Sequence, residues 1–234
     1  MVGLSAAMVS IVIPAFNESR AVARTVSTVL NLPGVWEVIV VDDCSTDDTA
    51  ARAREAGARV VSLPVNRGKG AALTAGIKAA GGQVIVLLDA DLGESAAEAQ
   101  KLILPVLEDR ADLTIARFPA ARRRGGFGLV KGLARRGIRH FTGLEMESPI
   151  SGQRAVRREL LSQLLPLAGG YGVEVGMTID AAVRGYRLME VPVEMRHRET
   201  GRDWRGFVHR GRQFRDILAT LVRRRIRHRK RMAR

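Results

Sequence analysis

Two carboxylates one residue apart, Asp89 and Asp91, follow the apolar run Val84–Leu88. Such a pair can address a hard divalent cation and a neighbouring polyol together, and Mg²⁺ or Mn²⁺ there would bridge to diphosphate oxygens. As a Lewis acid the ion would neutralise charge developing on a departing nucleotide diphosphate. A DxD alone is a weak signal, because acids after strands are often helix caps. It gains weight from its company. Val9–Ile13 runs into Phe16-Asn17-Glu18, Val38–Val41 into Asp42 and Asp43, and Arg59–Leu63 into Asn66-Arg67-Gly68-Lys69-Gly70. The last stretch resembles a phosphate loop without matching one, since Gly70 stands where a Walker sequence has Ser or Thr. Glycines flanking Lys69 before a helix would still present backbone N–H groups and a cation to phosphate.

Four polar strand ends must be brought to one rim, and the intervening sequence provides for that. The β-branched runs, with Asp112–Ala116 as a fifth, alternate with Ala-rich helical stretches near Ser19–Leu30, Thr46–Ala56, Gly70–Ala80 and Ala96–Glu108. Continuous apolar strands separated by helices predict an α/β fold: a mostly parallel sheet flanked by helices, with ligands outside the carboxyl ends of the strands. After Phe118 the alternation weakens. Arg117–Arg139 reads as a basic loop running into a helix, and Ser151–Val156 as a short strand followed by a helix to Leu165. Tyr171–Arg184 reads as a helix, and Tyr186–Met195 as an edge strand because it contains Pro192.

The 234 residues carry 46% hydrophobic and 26% charged side chains, which excludes wholesale disorder. No apolar run reaches the roughly 18–20 residues that cross a bilayer, and Met1–Met8 is too short and uncharged for a secretory signal. One cysteine, Cys44, excludes an intrachain disulfide framework and a multi-cysteine zinc site. The expected compartment is the cytoplasm. The net charge of +14 is unevenly placed: residues 202–234 hold +11 of it. This tail could attract nucleic acid, an anionic membrane surface or a phosphorylated substrate. From Phe207 to about Ile226 it is helical, with Phe207, Phe214, Ile217, Leu218, Leu221 and Val222 on one stripe and Arg212, Arg223 and Arg227 opposite.

The stretches VSIVIPAFNES, IVVDDCSTDDT, NRGKGAALTAGI and VLLDADL together resemble the family 2 glycosyltransferases of GT-A fold. The second half is similar to two subgroups. FGLVKGLARR and SPISGQRAVRRELL resemble polyprenyl-phosphate sugar transferases, whereas GGYGVEVGMTID and RHRETGR resemble glucosyl-3-phosphoglycerate synthases. The resemblance implies that Pro14, Ala15 and Glu18 hold the base and ribose, with Asp42 or Asp43 facing the base. Lys69 would lie near the diphosphate and Asp89 at the ribose or donor sugar. Asp91 would ligate the metal, completed by His197, and Glu174 would touch donor-sugar hydroxyls, making Asp91 and Glu174 the catalytic pair. One subgroup inverts and the other retains anomeric configuration, and both remain open.

Ser148 stands where polyprenyl-phosphate transferases carry an Asp before their proline, and Gln153 replaces an aromatic residue. This removes one candidate base. A phosphate acceptor, already ionised, needs only positioning, and Arg122–Arg124, Lys131, Arg135, Arg136, Ser151, Gly152 and Arg154 are the candidates. The expected organisation is a catalytic domain over 1–201, with a nucleotide part over 8–117 and an acceptor part over 118–201, then a basic helix and tail over 202–234. The first expectation is transfer from a UDP- or GDP-sugar to a phosphate-bearing acceptor, foremost polyprenyl phosphate at the inner membrane face. The alternative is a soluble glucosyl-3-phosphoglycerate synthase-like transferase. A nucleotidyltransferase would want a glycine-rich signature after the first strand, where PAFNES stands. A nucleic-acid-binding protein would leave the four strand ends unexplained.

Overall fold

The computed structural model describes residues 8–119, 128–196 and 204–232, with side chains in the last segment described from 211 to 226. Among the described residues seven strands form one sheet: β1 (Val9–Ala15), β2 (Val35–Asp42), β3 (Arg59–Ser62), β4 (Val84–Leu87), β5 (Leu113–Arg117), β6 (Arg154–Arg157) and β7 (Leu188–Pro192). Their order is β3-β2-β1-β4-β6-β5-β7. All pairings are parallel except those of β6, which runs antiparallel to β4 and β5. This is the mostly parallel α/β sheet that the alternating runs predict. β7 lies at the edge with Pro192 at its last position, as that proline requires.

The helices are α1 (Val22–Leu30), α2 (Thr49–Glu55), α3 (Lys69–Ala79), α4 (Ala99–Leu107), α5 (Gly128–Thr142), α6 (Arg158–Leu164), α7 (Val173–Val183) and α8 (Trp204–Met232). Short 3₁₀ turns at Gly93–Glu98 and Gly170–Gly172 lead into α4 and α7. Because side chains alternate along a strand, the sheet sorts its residues between two cores. Ile11, Ile13, Val38, Val40 and Val86 pack with Val22 and Val26 of α1 and Leu102 and Val106 of α4. Val12, Ile39, Val41, Ile85 and Leu87 face the other way, onto Leu73 and Ile77 of α3, Ile138 of α5, Ile179 of α7 and Ile217 of α8. Each such side chain contributes about 1.5–3 kcal/mol by leaving water.

β1 extends two residues past its expected end, through Pro14. Its pairing with β4 stops at Val12, whereas its pairing with β2 continues to Ala15 opposite Asp42. Val12 O accepts from Leu88 N on the β4 side and Ala15 O from Asp43 N on the β2 side. Alternation therefore turns the missing N–H of Pro14 toward the side where β4 has already left the ladder. The parting of β1 from β4 opens the sheet where Asp89 and Asp91 emerge.

The tail helix is not an appendage. Ile217 and Thr220 of α8 are buried and Leu221 packs on the second core. Gly137 of α5 and Gly172 leave room for the backbone to lie against Leu221 and Thr220, where a Cβ would collide. Arg224 crosses over Gly176 and pairs with Asp180 of α7 through Nε (3.0 Å) and Nη2 (2.5 Å). Phe214, Leu218 and Val222, expected on the packed stripe, are exposed. The helix sits instead on Ile217, Thr220, Leu221 and Arg224. The side chain of Phe207 lies outside the described residues.

Candidate active site

The carboxyl ends of β1, β2 and β4, the start of α3 and the loop before β6 open on a cleft of about 870 Å³. Of the residues expected at a site, Pro14, Ala15, Glu18, Asp43, Lys69, Asp89, Asp91, Lys131, Arg135, Ser151, Gly152 and Glu174 line it. Asp42, Arg136 and Arg154 do not. Arg124 and His197 lie outside the described residues.

The strand-end loops hold one another in place. Asn17, in the left-handed region (φ 56°), accepts from Thr46 N at 2.9 Å while its own N–H donates to Ser45 Oγ at 2.9 Å. Asn is among the few residue types that adopt this conformation readily. Glu18 N donates to Thr49 Oγ1 and Ser19 N to Asp47 Oδ2. Slight burial works against the Asp47 charge, but hydrogen bonds from Thr49 and Ser19 hold its carboxyl at about 2. Asp42 accepts from Ser45 N, which makes it a brace for this loop. Asp43 accepts from Arg67 N (2.8 Å) and Gly68 N (2.7 Å), so it clasps the NRGKG loop from beneath. Gly70 permits the first turn of α3 to abut the Ala168 carbonyl, where a Cβ would clash. That contact accounts for glycine at the position of a Walker hydroxyl.

Lys69 is the centre of the cleft. Its Nζ lies 2.8 Å from Asp89 Oδ1 and 3.2 Å from Glu174 Oε1. Desolvation opposes the ammonium charge, yet the two carboxylates outweigh it and raise its pKa well above the ordinary lysine value. Gln153 Nε2 donates to Asp89 Oδ2 at 2.6 Å, so both oxygens of Asp89 are engaged. Glu174 is buried in the first turn of α7, where the helix dipole favours a carboxylate. Gly152 passes directly over this group; a Cβ there would stand 2.6 Å from Lys69 Nζ.

Arg154, expected to meet an anion, is buried behind the cleft. Its Nε donates to Ser151 O (2.9 Å) and its Nη1 to Thr178 Oγ1 (3.0 Å), tying the loop of Gly152 and Gln153 to α7. Burial lowers its pKa to about 10 against the pull of Glu174 and Glu190, and it remains a cation at neutral pH. The Ser148 loop, lacking the acid of the polyprenyl subgroup, is fixed by Glu190 of β7, which accepts from Glu147 N and Ser148 N.

Among the described residues, no three His, Cys, Asp or Glu side chains cluster as a metal site. The donor set at β4 is half-buried Asp91 at the cleft, beside an Asp89 already engaged by Lys69 and Gln153. A single protein carboxylate suits a hard ion that completes its shell with diphosphate oxygens and water. The residues present therefore fit Mg²⁺ or Mn²⁺ in company with a nucleotide.

The cleft is also lined by residues that were not expected at a site. Phe16 and Phe118 form part of its walls, Tyr171 comes from the turn before α7, and Gln213 and Ile217 come from α8. Burial raises the Tyr171 phenol, with the charges of Lys69, Asp216, Glu174 and Arg212 also acting on it. Tyr171 N donates to Asp216 Oδ2 of α8 at 3.3 Å. Lys131 and Arg135 line the cleft from α5, Arg135 braced on the carbonyls of Met146 (2.8 Å) and Glu147 (3.1 Å). Exposed Arg136 is one position farther round the helix.

Residues 10–165 match the family model described as glycosyl transferase family 2. The chain is 35% identical over 196 residues to glucosyl-3-phosphoglycerate synthase of Mycobacterium tuberculosis, covering 74% of this chain and 60% of that relative. It thus spans about 60% of the length of that curated relative. The crystal structure of the same synthase with Mn²⁺, uridine diphosphate and phosphoglyceric acid superposes with a TM-score of 0.79 at 32% identity, over 94% of this chain and 79% of that one. Its complex with Mg²⁺ and uridine diphosphate gives 0.79 at 32% identity, over 94% and 80%.

Proposed function

The chain belongs to glycosyl transferase family 2, and from that premise we propose that it transfers a sugar from a uridine-diphosphate sugar to a small phosphorylated hydroxy acid of the phosphoglyceric acid type, with Mg²⁺ or Mn²⁺ as cofactor. The observation that carries this reading is the Lys69 ammonium held between Asp89 and Glu174 at the strand ends. The relatives support the phosphorylated acid over polyprenyl phosphate, the acceptor that the sequence put first.

The donor end is built from Pro14, Ala15, Glu18 and Asp43, with the base and ribose against the ends of β1 and β2. Lys69, kept charged by its two carboxylates, offers the diphosphate a fixed countercharge at the start of α3. Asp89, held by Gln153, accepts hydrogen bonds from donor hydroxyls, and Glu174 does so for the sugar. Asp91 would hold a divalent ion, which would supply Lewis-acid neutralisation of the leaving diphosphate; His197, the other expected ligand, lies outside the described residues. Lys131 and Arg135 hold the anionic groups of the acceptor and so fix its hydroxyl for attack on the anomeric carbon. The bond between the anomeric carbon and the diphosphate breaks as the bond to the acceptor oxygen forms; uridine diphosphate leaves with the bonding pair, and an oxygen of that leaving group takes up the hydroxyl proton.

The test is incubation with single uridine-diphosphate sugars, Mn²⁺ or Mg²⁺ and phosphoglyceric acid, with products read by mass spectrometry. A metal-dependent glycosylated acid is the expected result, and failure of any nucleotide to bind with either metal would overturn the reading.

A second reading, a polyprenyl phosphate acceptor at an anionic membrane surface, is favoured by the exposed apolar residues Phe214, Leu218, Val222 and Ile226 among the arginines of α8. Among the described residues no helix is long and apolar enough to cross a membrane. Flotation with anionic vesicles, lost on truncation at Arg223, would support this reading; absence of lipid binding would remove it.

A further inference from the structure

α8 lies outside residues 10–165, to which the family match extends, yet it is pressed against the entry to α7. The turn Gly170–Gly172 presents Tyr171 to the cleft and leads into α7, whose first turn carries Glu174 to within 3.2 Å of Lys69 Nζ. The first N–H groups of a helix have no partner within it, and Gly169, at the cap position, has no side chain to accept them. α8 supplies an acceptor instead. Tyr171 N donates to Asp216 Oδ2 at 3.3 Å. Glycine at position 170 permits this approach: it stands at φ 58°, and a Cβ there would fall 2.1 Å from the same carboxylate oxygen. Gly172 repeats the arrangement one turn farther along α8, where a Cβ would fall 2.0 Å from Thr220 Oγ1.

An ordinary cap steadies a helix and nothing more. This one secures a turn from which two cleft residues project. We propose that Asp216 is a positioning residue for the transfer reaction: capping Gly170–Gly172 from α8, it fixes the start of α7, and thereby the place of Glu174 beside Lys69 and of Tyr171 in the cleft wall. Asp216 does not itself line the cleft, so it acts through those two residues. Its carboxylate also suits the N-terminal end of α7, where the helix dipole favours negative charge. The inference deepens the transferase reading given above and rests on it. A misplacement of about 1 Å in a group that orients substrate can cost about a hundred-fold in rate. Loss of the cap would therefore be felt at the sugar, which Glu174 meets, and not at the base and ribose against β1 and β2.

The test compares the wild-type chain with Asp216→Ala, with Asp216→Asn, which keeps an oxygen for Tyr171 N, and with Gly170→Ala, whose methyl displaces the carboxylate from the other side. Uridine diphosphate affinity is read by calorimetry with Mn²⁺, and kcat with a uridine-diphosphate sugar and phosphoglyceric acid. Asp216→Ala and Gly170→Ala are expected to lose about ten-fold or more in kcat while uridine diphosphate affinity stays within about two-fold. Asp216→Asn is expected to recover kcat to within about three-fold of wild type. A cap that serves stability alone would lower Tm and leave kcat untouched, and that result in folded Asp216→Ala overturns the proposal. So does an Asp216→Asn no faster than Asp216→Ala, or an equal loss of affinity and turnover. The wild-type chain gives a check that needs no folded variant: the Tyr171 amide is expected to be protected from hydrogen exchange, and exchange at the free-peptide rate overturns the cap. Wild type that binds no uridine diphosphate or forms no product sinks the transferase reading and this inference together. Wild type that turns over beside unaffected variants sinks this inference alone.

Discussion

Gly152 crosses Lys69 so closely that a Cβ at position 152 would stand 2.6 Å from the ammonium nitrogen. The absence of a side chain lets the loop before β6 close over the Lys69–Asp89 pair. Gly152→Ala must push Lys69 from its place between Asp89 and Glu174, which a flexible lysine can do at little cost to the fold. The expected outcome is a fall in kcat/KM of at least about ten-fold, or about 1.4 kcal/mol in transition-state stabilisation, with Tm shifted by only a few degrees. Steady-state kinetics beside a thermal melt checks both halves.

Lys69 also fixes a pH dependence. Its pKa is raised in the folded chain, so its contribution is fully present below the ordinary lysine value of 10.5 and is lost as pH rises through the higher folded value. The difference in urea midpoint between wild type and Lys69→Met is therefore expected to stay flat from pH 6 to 10. A difference that shrinks below pH 10 would show that Asp89 and Glu174 do not hold the charge.

Asp47 gives the opposite sign. Its folded pKa of about 2 lies below the ordinary 3.8, so the bridge to Ser19 and Thr49 contributes fully above pH 4 and is lost as pH falls toward 2. Wild type is expected to exceed Asp47→Ala in Tm above pH 4, and the gap is expected to narrow between pH 4 and 2. Melting curves at four pH values suffice.

The clamp between Arg224 and Asp180 attaches α8 to α7. Asp180→Ala leaves a largely buried guanidinium without its counter-ion, at a cost of about 1–3 kcal/mol. Urea denaturation should show that loss, and trypsin should cut within residues 211–226 faster than in wild type. Protection equal to wild type would mean that Ile217 and Leu221 hold the helix unaided.

Much of this molecule is legible in its sequence for a plain reason: buried parallel strands are continuous apolar runs, and the residues that follow them face a common rim. Asp43, Lys69, Asp89 and Asp91 are recognisable that way. Direction is not encoded in periodicity, so nothing in Arg154–Arg157 announces that β6 runs against its neighbours. Burial of charge is equally silent: Arg154 reads as a cation for the acceptor and nothing in the sequence marks Arg224, yet one braces a loop and the other clamps a helix. Gln153 reads as a lost aromatic residue, and only the fold shows its amide on Asp89. Gln213 and Ile217 carry no sequence signal, because they reach the cleft only through the packing of α8 on the rest of the fold.

The bare backbone of Gly137 and Gly172 beneath α8 turns a packing detail into a gauge. Those two positions fix the spacing at which the helix stands, while residues such as 213 and 217 decide what it shows to the crevice. A protein engineer could therefore diversify the helix as an exchangeable cassette, changing what lines the crevice while the floor of strand ends keeps its tolerances.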